Sequence, residues 1–354
     1  MEQPLPQEVD VTADSAFGLK MPFSFEAGTG HQNADLENIE WLTYHGMLGS
    51  TEAARLYAKW DAATLTCYTY PYASADDLTL ATDLMGFLFL FDDQFDGSDR
   101  QPDQVAATCT ELIGILHRST GPRFPVARAF ADLWARSVHG MSTAWRARAA
   151  YHWEQYFAAQ ASEVVDRIVG AIPTRDHYFA LRDAASGSKP ALDLCERVGK
   201  FTVPSILYCA PHTRQIRRLT YNILNISNDL FSLEKEELRG DVDNFVFVVR
   251  AEEKCSREEA VIAAARKVNQ WAVAMTDIEK NSTAALSMLG AGEDELRVLQ
   301  QYVAALKAWA YGNIRWSTES GRFASANYLP AQRAGHLENL LGDDATRRRS
   351  TLWP

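Results

Sequence analysis

Apolar residues return along this chain with the period of α-helices. Within residues 260–276, alanine, valine and isoleucine recur every three or four positions with charged residues between them, as in a helix with one buried face. The run 245–249 favours a strand by propensity, but it follows a turn at 239–241, and we interpret it as the start of a short helix. Further helices are predicted over 33–48, 50–59, 76–95, 103–118, 125–137, 141–167, 174–185, 191–197, 203–208, 211–238, 256–282 and 292–318. The fold is therefore predicted to be all-α.

The 354 residues are expected to form one domain with a large core. No linker or low-complexity stretch interrupts the middle of the chain, and hydrophobic residues make up 47% of it. Residues 1–20, with two prolines and four acids, are predicted to be a disordered lead. The domain is predicted over 21–330, and a flexible tail over 331–354.

Charge and composition exclude several classes of protein. The net charge of −11 argues against nucleic acid as a partner, because that partner needs a basic face. The longest apolar run, 84–91, is far shorter than the ~20 residues that span a membrane. The N-terminus has neither the basic nor the apolar region of a signal peptide, so a soluble, cytoplasmic protein is expected. The five cysteines show no CxxC pairing and are expected to be reduced core thiols.

Two acidic clusters carry the candidate chemistry. Asp92 and Asp96 follow the apolar run 84–91 and lie one helical turn apart. Asn228, Ser232 and Glu236 repeat at intervals of four, which places three oxygen-bearing side chains on one face of a helix. Oxygen-only ligand sets suit Mg²⁺, which commonly joins protein carboxylates to a substrate's phosphates. The clusters predict a diphosphate held between two helices by magnesium ions.

The two clusters resemble known motifs. The pattern DDxxD at 92–96 resembles the aspartate-rich motif of class I terpene synthases, and NDLxSxxKE at 228–236 resembles their microbial Asn/Ser/Glu triad. An acidic run after an apolar helix is by itself commonly a solvated helix end. The second motif is more specific, because a solvated amphipathic face does not explain Asn228 and Ser232, which are indifferent helix formers.

Two further motifs follow in the expected order, so that the resemblance covers about residues 20–325. Arg182 and the small residues after it resemble the diphosphate-sensing arginine and the helix break of the bacterial enzymes. The break is expected over 186–190. Arg322 and Phe323 resemble the closing Arg-Tyr pair, with phenylalanine in place of tyrosine, so that the phenol hydrogen bond is missing.

The resemblance implies a helical bundle around a deep central cavity. It also implies an Mg²⁺-dependent terpene cyclase, which ionises a linear prenyl diphosphate, cyclises the carbocation and releases diphosphate. Farnesyl diphosphate (C15) is favoured as substrate, and geranylgeranyl diphosphate (C20) stays open. Three Mg²⁺ ions are implied per site, with Mn²⁺ as an alternative ion. The product, and whether the protein is a monomer or a homodimer, stay undetermined.

Specific residues are assigned to each role. The metal ligands are expected to be Asp92, Asp96, Asn228, Ser232 and Glu236. The diphosphate is expected to be bound by Arg182, Lys235 and Arg322, because guanidinium and ammonium groups suit phosphate oxygens. Without ligand, these three cations are expected to be loosely held. The aromatic candidates for facing the carbocation are Phe89 and Trp309 first, and then Phe91, Phe95 and Trp316.

Two alternatives to a cyclase remain at this point. A prenyl-chain-elongating synthase would need a second aspartate-rich motif where this chain has the triad at 228–236. A non-catalytic helical protein that binds prenyl diphosphates would be expected to have lost a metal ligand. The sequence contains no glycine-rich phosphate loop, HExxH zinc motif or GxSxG elbow, so other common site chemistries lack support.

Overall fold

A computed structural model describes residues 16–28, 33–94, 102–288 and 290–324, with backbone alone at 283 and 284. Fourteen α-helices and no strand occur in this part of the chain, which confirms the predicted all-α class. The helices are α1 Ala34–Tyr44, α2 Thr51–Ala58, α3 Ala62–Thr69, α4 Ala75–Asp92, α5 Pro102–Leu116, α6 Pro125–Val138, α7 Thr143–Val169, α8 Arg175–Ala185, α9 Ser188–Val198, α10 Ser205–Tyr208, α11 Pro211–Arg239, α12 Phe245–Glu253, α13 Arg257–Met288 and α14 Glu293–Glu319. Short 3₁₀ turns lie at Ala16–Gly18 and Gly321–Phe323.

Helix α3 was not predicted from the sequence. Its eight residues include three threonines, a cysteine and a tyrosine, which are mediocre helix formers. The side chain of Asp61 accepts a hydrogen bond from the backbone N–H of Thr64 and so caps the helix. Nearly all of α3 is buried, and it packs against α4 and α14. Tertiary packing therefore stabilises a helix that local propensity does not predict.

The short helix expected at residue 245 is present as α12. It begins after Asn244, whose side chain accepts from the backbone N–H of Val246. The residues 245–249 are all buried, which explains why their composition resembles that of a strand. The surroundings of the segment, and not its β-branched residues, decide its conformation.

The predicted N-terminal boundary needs correction. Leu19 is in the core at 4% exposure, although residues 16–20 were assigned to a disordered lead. The backbone N–H of Lys20 donates to Asn269 of α13, and the Asn269 amide donates to the carbonyl of Gly18. Residues 16–20 therefore belong to the packed domain, because apolar burial and these hydrogen bonds hold them there. The rest of the predicted lead, the tail 331–354 and residues 325–330 lie outside the described residues.

The cysteines are all free thiols, as expected, but not all are in the core. Cys67, Cys109 and Cys195 are buried, Cys255 is partly buried and Cys209 is exposed. The expectation of a core position is therefore wrong for Cys209, which directly follows the short helix α10. No helix in the described part of the chain has the length and apolar character needed to cross a membrane.

A central cavity lies among the helices that carry the candidate residues. Helix α11 packs against α13 and α14, α4 packs against α1, α3 and α6, and α7 packs against α8. Aromatic rings fill the space between α4, α6 and α7, where Phe87, Phe91, Phe130 and Phe157 contact one another. This packing fixes one side of α4 and leaves its C-terminal end at the cavity.

Candidate active site

The cavity has a volume of about 190 Å³ and is lined by α4, α7, α8, α9, α11, α14 and the 3₁₀ turn after α14. Helix α11 contributes a stripe at three- and four-residue spacing, which is the pattern of one helix face. Its lining residues are Leu224, Asn225, Asn228, Ser232, Lys235, Glu236 and Arg239. The apolar part of the lining includes Met85, Leu88, Ala191, Leu224 and Trp309. The lining thus contains both polar and apolar side chains.

Four of the five predicted metal ligands line this cavity. Asp92 is the last residue of α4, and Asn228, Ser232 and Glu236 lie on α11. The Ser232 hydroxyl donates to Glu236 Oε1 at 2.6 Å, so the two side chains already meet. Asp96 lies outside the described residues. In the part of the chain that the structure describes, no three His, Cys, Asp or Glu side chains are grouped to hold a metal ion.

The two adjacent aspartates of the first motif face different partners. Asp92 is exposed and lines the cavity, whereas Asp93 is buried. Arg322 donates two hydrogen bonds to the Asp93 carboxylate, at 3.1 and 3.4 Å, and Lys235 Nζ lies 3.6 Å from Asp93 Oδ1. Since neighbouring helical residues point about 100° apart, this separation follows from the helix geometry.

Arg182 is bound to the second motif. Its Nη2 donates to Asp229 Oδ1 at 2.7 Å and, more weakly, to Asn228 Oδ1 at 3.4 Å. Burial by itself lowers the pKa of Arg182, but the charge of Asp229 and the neighbouring Tyr178 raise it well above its usual range. The other oxygen of Asp229 accepts from the Tyr178 hydroxyl at 2.6 Å and the Phe245 N–H at 2.7 Å. Asp229 is therefore the anchor of Arg182.

The expectation that the three cations are loosely held is wrong. Arg182 pairs with Asp229, while Lys235 and Arg322 share Asp93. The Arg322 side chain is only 9% exposed, and its guanidinium carbon lies 4.4 Å from the Trp60 ring centroid and 4.3 Å from that of Phe89. A buried cation without a partner costs free energy, so each of the three pairs with a carboxylate, and Arg322 also packs on two aromatic rings.

Phe89 and Trp309 both line the cavity, as predicted. Phe89, however, presents ring surface to Arg322 and stacks on Trp316 at 5.5 Å with an interplanar angle of 8°. In this arrangement Phe89 packs against the Arg322 guanidinium, which leaves Trp309 as the better candidate for facing a carbocation.

The other aromatic candidates lie elsewhere. Phe91 is fully buried in the aromatic core of α4, α6 and α7, because it lies on the side of α4 that packs there. Trp316 is buried, and its indole N–H donates to the carbonyls of Trp60 and Asp61. Those contacts give both residues structural roles, contrary to the expectation. Phe95 lies outside the described residues.

The cavity also contains several charged residues that were not predicted from the sequence. Glu163 and Arg167 come from α7, and Asp241 and Asp243 come from the turn after α11. Burial, followed by the charge of Asp92, raises the pKa of Glu163 to about 8. Burial, followed by the charge of Asp166, raises the pKa of Asp243 to about 6. Glu163 lies in a long helix rich in charged residues, so no local signal distinguishes it, whereas Asp241 and Asp243 lie within seven residues of the end of the second motif.

The helix break is shorter than predicted. Helix α8 ends at Ala185 and α9 begins at Ser188, so only residues 186 and 187 interrupt the helices. Pro190 is accommodated in the first turn of α9, where its missing N–H has no intrahelical partner to lose. The amide of Asn225 donates to the Arg182 carbonyl at 3.3 Å, and Lys189 Nζ binds Asp183 at 2.6 Å across the break.

Gly187 offers a test of how tightly this break packs on α4. A Cβ added at Gly187 would lie 2.8 Å from Leu88 Cδ1, inside contact distance. We expect Gly187→Ala to lower the free energy of unfolding by ~1–3 kcal/mol and to change the product mixture, because Leu88 also lines the cavity. Thermal unfolding and product analysis measure both. The control is Gly121→Ala, whose Cβ would meet nothing within 4 Å. An unchanged Tm and product mixture for Gly187→Ala would contradict the close packing.

Comparisons with known proteins agree with this geometry. Residues 83–272 match the family described as terpene synthase family 2, C-terminal metal binding. The chain is 33% identical over 310 residues to a (−)-β-caryophyllene synthase, (2E,6E)-farnesyl diphosphate cyclizing, from Saccharothrix espanaensis, with 86% of this chain and 88% of the relative covered. It is 32% identical over 346 residues to pentalenene synthase from Streptomyces exfoliatus, with 95% and 98% covered. The solved structure of germacradien-4-ol synthase from Streptomyces citricolor aligns with a TM-score of 0.78 and 34% identity, covering 85% of this chain and 98% of that one.

A helical bundle whose cavity combines oxygen-bearing and apolar side chains is the architecture of a class I terpene synthase. The chain belongs to terpene synthase family 2. The predicted activity class, a terpene cyclase acting on prenyl diphosphates, is thereby confirmed. The family is a metal-binding one, which implies the use of a divalent metal.

Proposed function

We propose that this enzyme is an Mg²⁺-dependent cyclase of farnesyl diphosphate. The observation that carries the proposal is the meeting of Asp92 with the Asn228, Ser232 and Glu236 stack at one cavity. The curated relative that is named as cyclizing farnesyl diphosphate supports a C15 substrate.

The donor set fits magnesium. The described lining residues offer carboxylate, amide and hydroxyl oxygens, and neither imidazole nor thiolate. Asp92 would hold metal from α4, and Asn228, Ser232 and Glu236 would hold it from α11, with Asp96 and a count of three ions as part of the proposal. When bound, the divalent ions supply positive charge that stabilises the departing diphosphate, and Mn²⁺ is an alternative.

The side chains of this protein bind and orient the rest of the substrate. The diphosphate oxygens accept hydrogen bonds from Arg182, Lys235 and Arg322. To make these bonds, the three cations either leave their carboxylate partners, Asp229 and Asp93, or bind carboxylate and diphosphate at the same time. Because these cations are already held in place, little side-chain entropy is lost when the diphosphate binds.

The apolar part of the cavity receives the prenyl chain. Met85, Leu88, Leu224 and Trp309 exclude water from the carbocation, and the Trp309 ring faces its positive charge. Cyclisation ends when the cation loses a proton or captures water, and the diphosphate then leaves.

The substrate is tested with a panel of C10, C15, C20 and C25 prenyl diphosphates. With Mg²⁺ present, we expect cyclic C15 terpenes from farnesyl diphosphate. The kcat/KM for this substrate should be at least about tenfold above that for the C20 substrate, because a pocket that fits one chain length binds a chain several methylenes longer less well in the transition state. Gas chromatography with mass spectrometry of the organic extract measures the products. A longer diphosphate product would indicate a chain-elongating synthase. No turnover with any substrate, despite tight binding of the diphosphates, would indicate a non-catalytic binding protein.

A further inference from the structure

Asn244 lies completely buried beside the second motif, on a different element from it. It directly precedes α12, and its Oδ1 accepts from the Val246 N–H at 2.8 Å. Its amide nitrogen donates to the Glu236 carboxylate at 2.7 Å and to the backbone carbonyl of Asp229 at 2.9 Å. Both amide hydrogens and the amide oxygen are therefore used, and their bonds fix the orientation of the side chain.

The Glu236 carboxylate is held from two sides. Ser232, one turn earlier on α11, donates to Oε1 at 2.6 Å, and Asn244 donates to Oε2 at 2.7 Å. A donor on the same helix restrains the side chain only relative to α11 itself. The Asn244 donor comes from outside that helix, and with Ser232 it fixes the rotation of the carboxylate plane.

The turn that carries Asn244 is itself attached to the motif. The next backbone N–H, that of Phe245, donates to Asp229 Oδ2 at 2.7 Å. Asp229 thus receives one hydrogen bond from each of two successive residues, Asn244 to its carbonyl and Phe245 to its carboxylate. These two hydrogen bonds attach the start of α12 to α11 at Asp229, between the proposed metal ligands Asn228 and Ser232. They leave Asn244 little freedom to move away from Glu236.

We propose that Asn244 is a positioning residue, which orients the Glu236 carboxylate for metal binding through its amide donor. The proposal rests on the proposed function, in which Glu236 is a metal ligand. Ligating carboxylates depend on such hydrogen bonds from residues behind them, and loss of one typically weakens metal affinity ~10–100-fold. Asn244 itself needs no contact with the metal or the substrate.

The test uses Asn244→Ser, which keeps an oxygen able to cap α12 and removes the amide donors. Calorimetry measures the Kd for Mg²⁺ in the presence of inorganic diphosphate, so no turnover is needed. We expect this Kd to rise by ~10–100-fold. We also expect kcat to recover in large part as Mg²⁺ is raised to saturation, because the ligand is misoriented and not removed. If Asn244→Ser fails to fold, Asn244→Thr also keeps a capping hydroxyl and lacks the amide donors.

Two comparisons make the outcome decisive. Ser142→Ala removes a helix cap at the exposed start of α7, outside the cavity lining, and controls for a general loss of stability. If Asn244→Ser lowers Tm as Ser142→Ala does but leaves the Mg²⁺ Kd unchanged, Asn244 is merely structural and the inference is overturned. Glu236→Gln distinguishes failure of the Asn244 inference from failure of the proposed metal site. If that variant keeps normal Mg²⁺ affinity and turnover, the proposed metal site fails as well.

Discussion

Replacing Glu236 by glutamine should lower kcat by at least about a thousandfold and leave the helical fold intact. The change removes one negative charge from the proposed metal ligands while keeping the size of the side chain. Metal ions contribute several kcal/mol to stabilising a transition state, and each ~1.4 kcal/mol corresponds to a tenfold change in rate. Steady-state turnover with farnesyl diphosphate over a range of Mg²⁺ concentrations, together with circular dichroism, measures both effects.

Glu237→Gln is the matched control for this experiment. Glu237 is the next residue of α11, but it is exposed and binds Arg257 on the protein surface. The Glu237→Gln enzyme should therefore keep normal turnover at every Mg²⁺ concentration. Normal activity of Glu236→Gln at low Mg²⁺ would rule out Glu236 as a metal ligand.

Replacing Arg322 by alanine should lower kcat by ~100–1,000-fold, which is the usual loss for one donor to developing negative charge. The structure supports a large loss, because Asp93, Trp60 and Phe89 already orient this guanidinium for binding. We also expect a larger share of hydroxylated or early-quenched products, since the loss of Arg322 opens the mouth of the cavity to water. Turnover rates and the product distribution are the measurements.

Two further variants sharpen the test at Arg322. Arg322→Lys keeps the charge but loses the planar two-pronged donor and its stacking, so we expect an intermediate loss. Arg315→Ala removes an exposed arginine that pairs with Glu319 on the same helix, and it should behave like the wild-type enzyme. Equal activity of Arg322→Ala and Arg315→Ala would exclude a role for Arg322 in diphosphate binding.

The stack of Asn228, Ser232 and Glu236 was predictable because it depends only on the period of one helix. Asp92 and Asp93 could likewise be assigned to different directions from the helical angle alone. The identity of their partners could not be predicted, since Arg322 lies 229 positions from Asp93 in the sequence. The same holds for Asn244, which looks like an ordinary turn residue until α12 packs against α11.

From the amino-acid sequence alone one can predict the helical class, most of the helix positions, the oxygen-bearing face of α11 and the family. Each of these depends on local periodicity or on motif spacing, which survive without a structure. The three-dimensional structure is needed to show that α3 is a helix, that Glu163 and Asp243 line the cavity, that Phe89 packs on Arg322 and that all three cations are paired. Those facts depend on contacts between distant segments, where burial makes an unpaired charge costly and packing overrides local propensity.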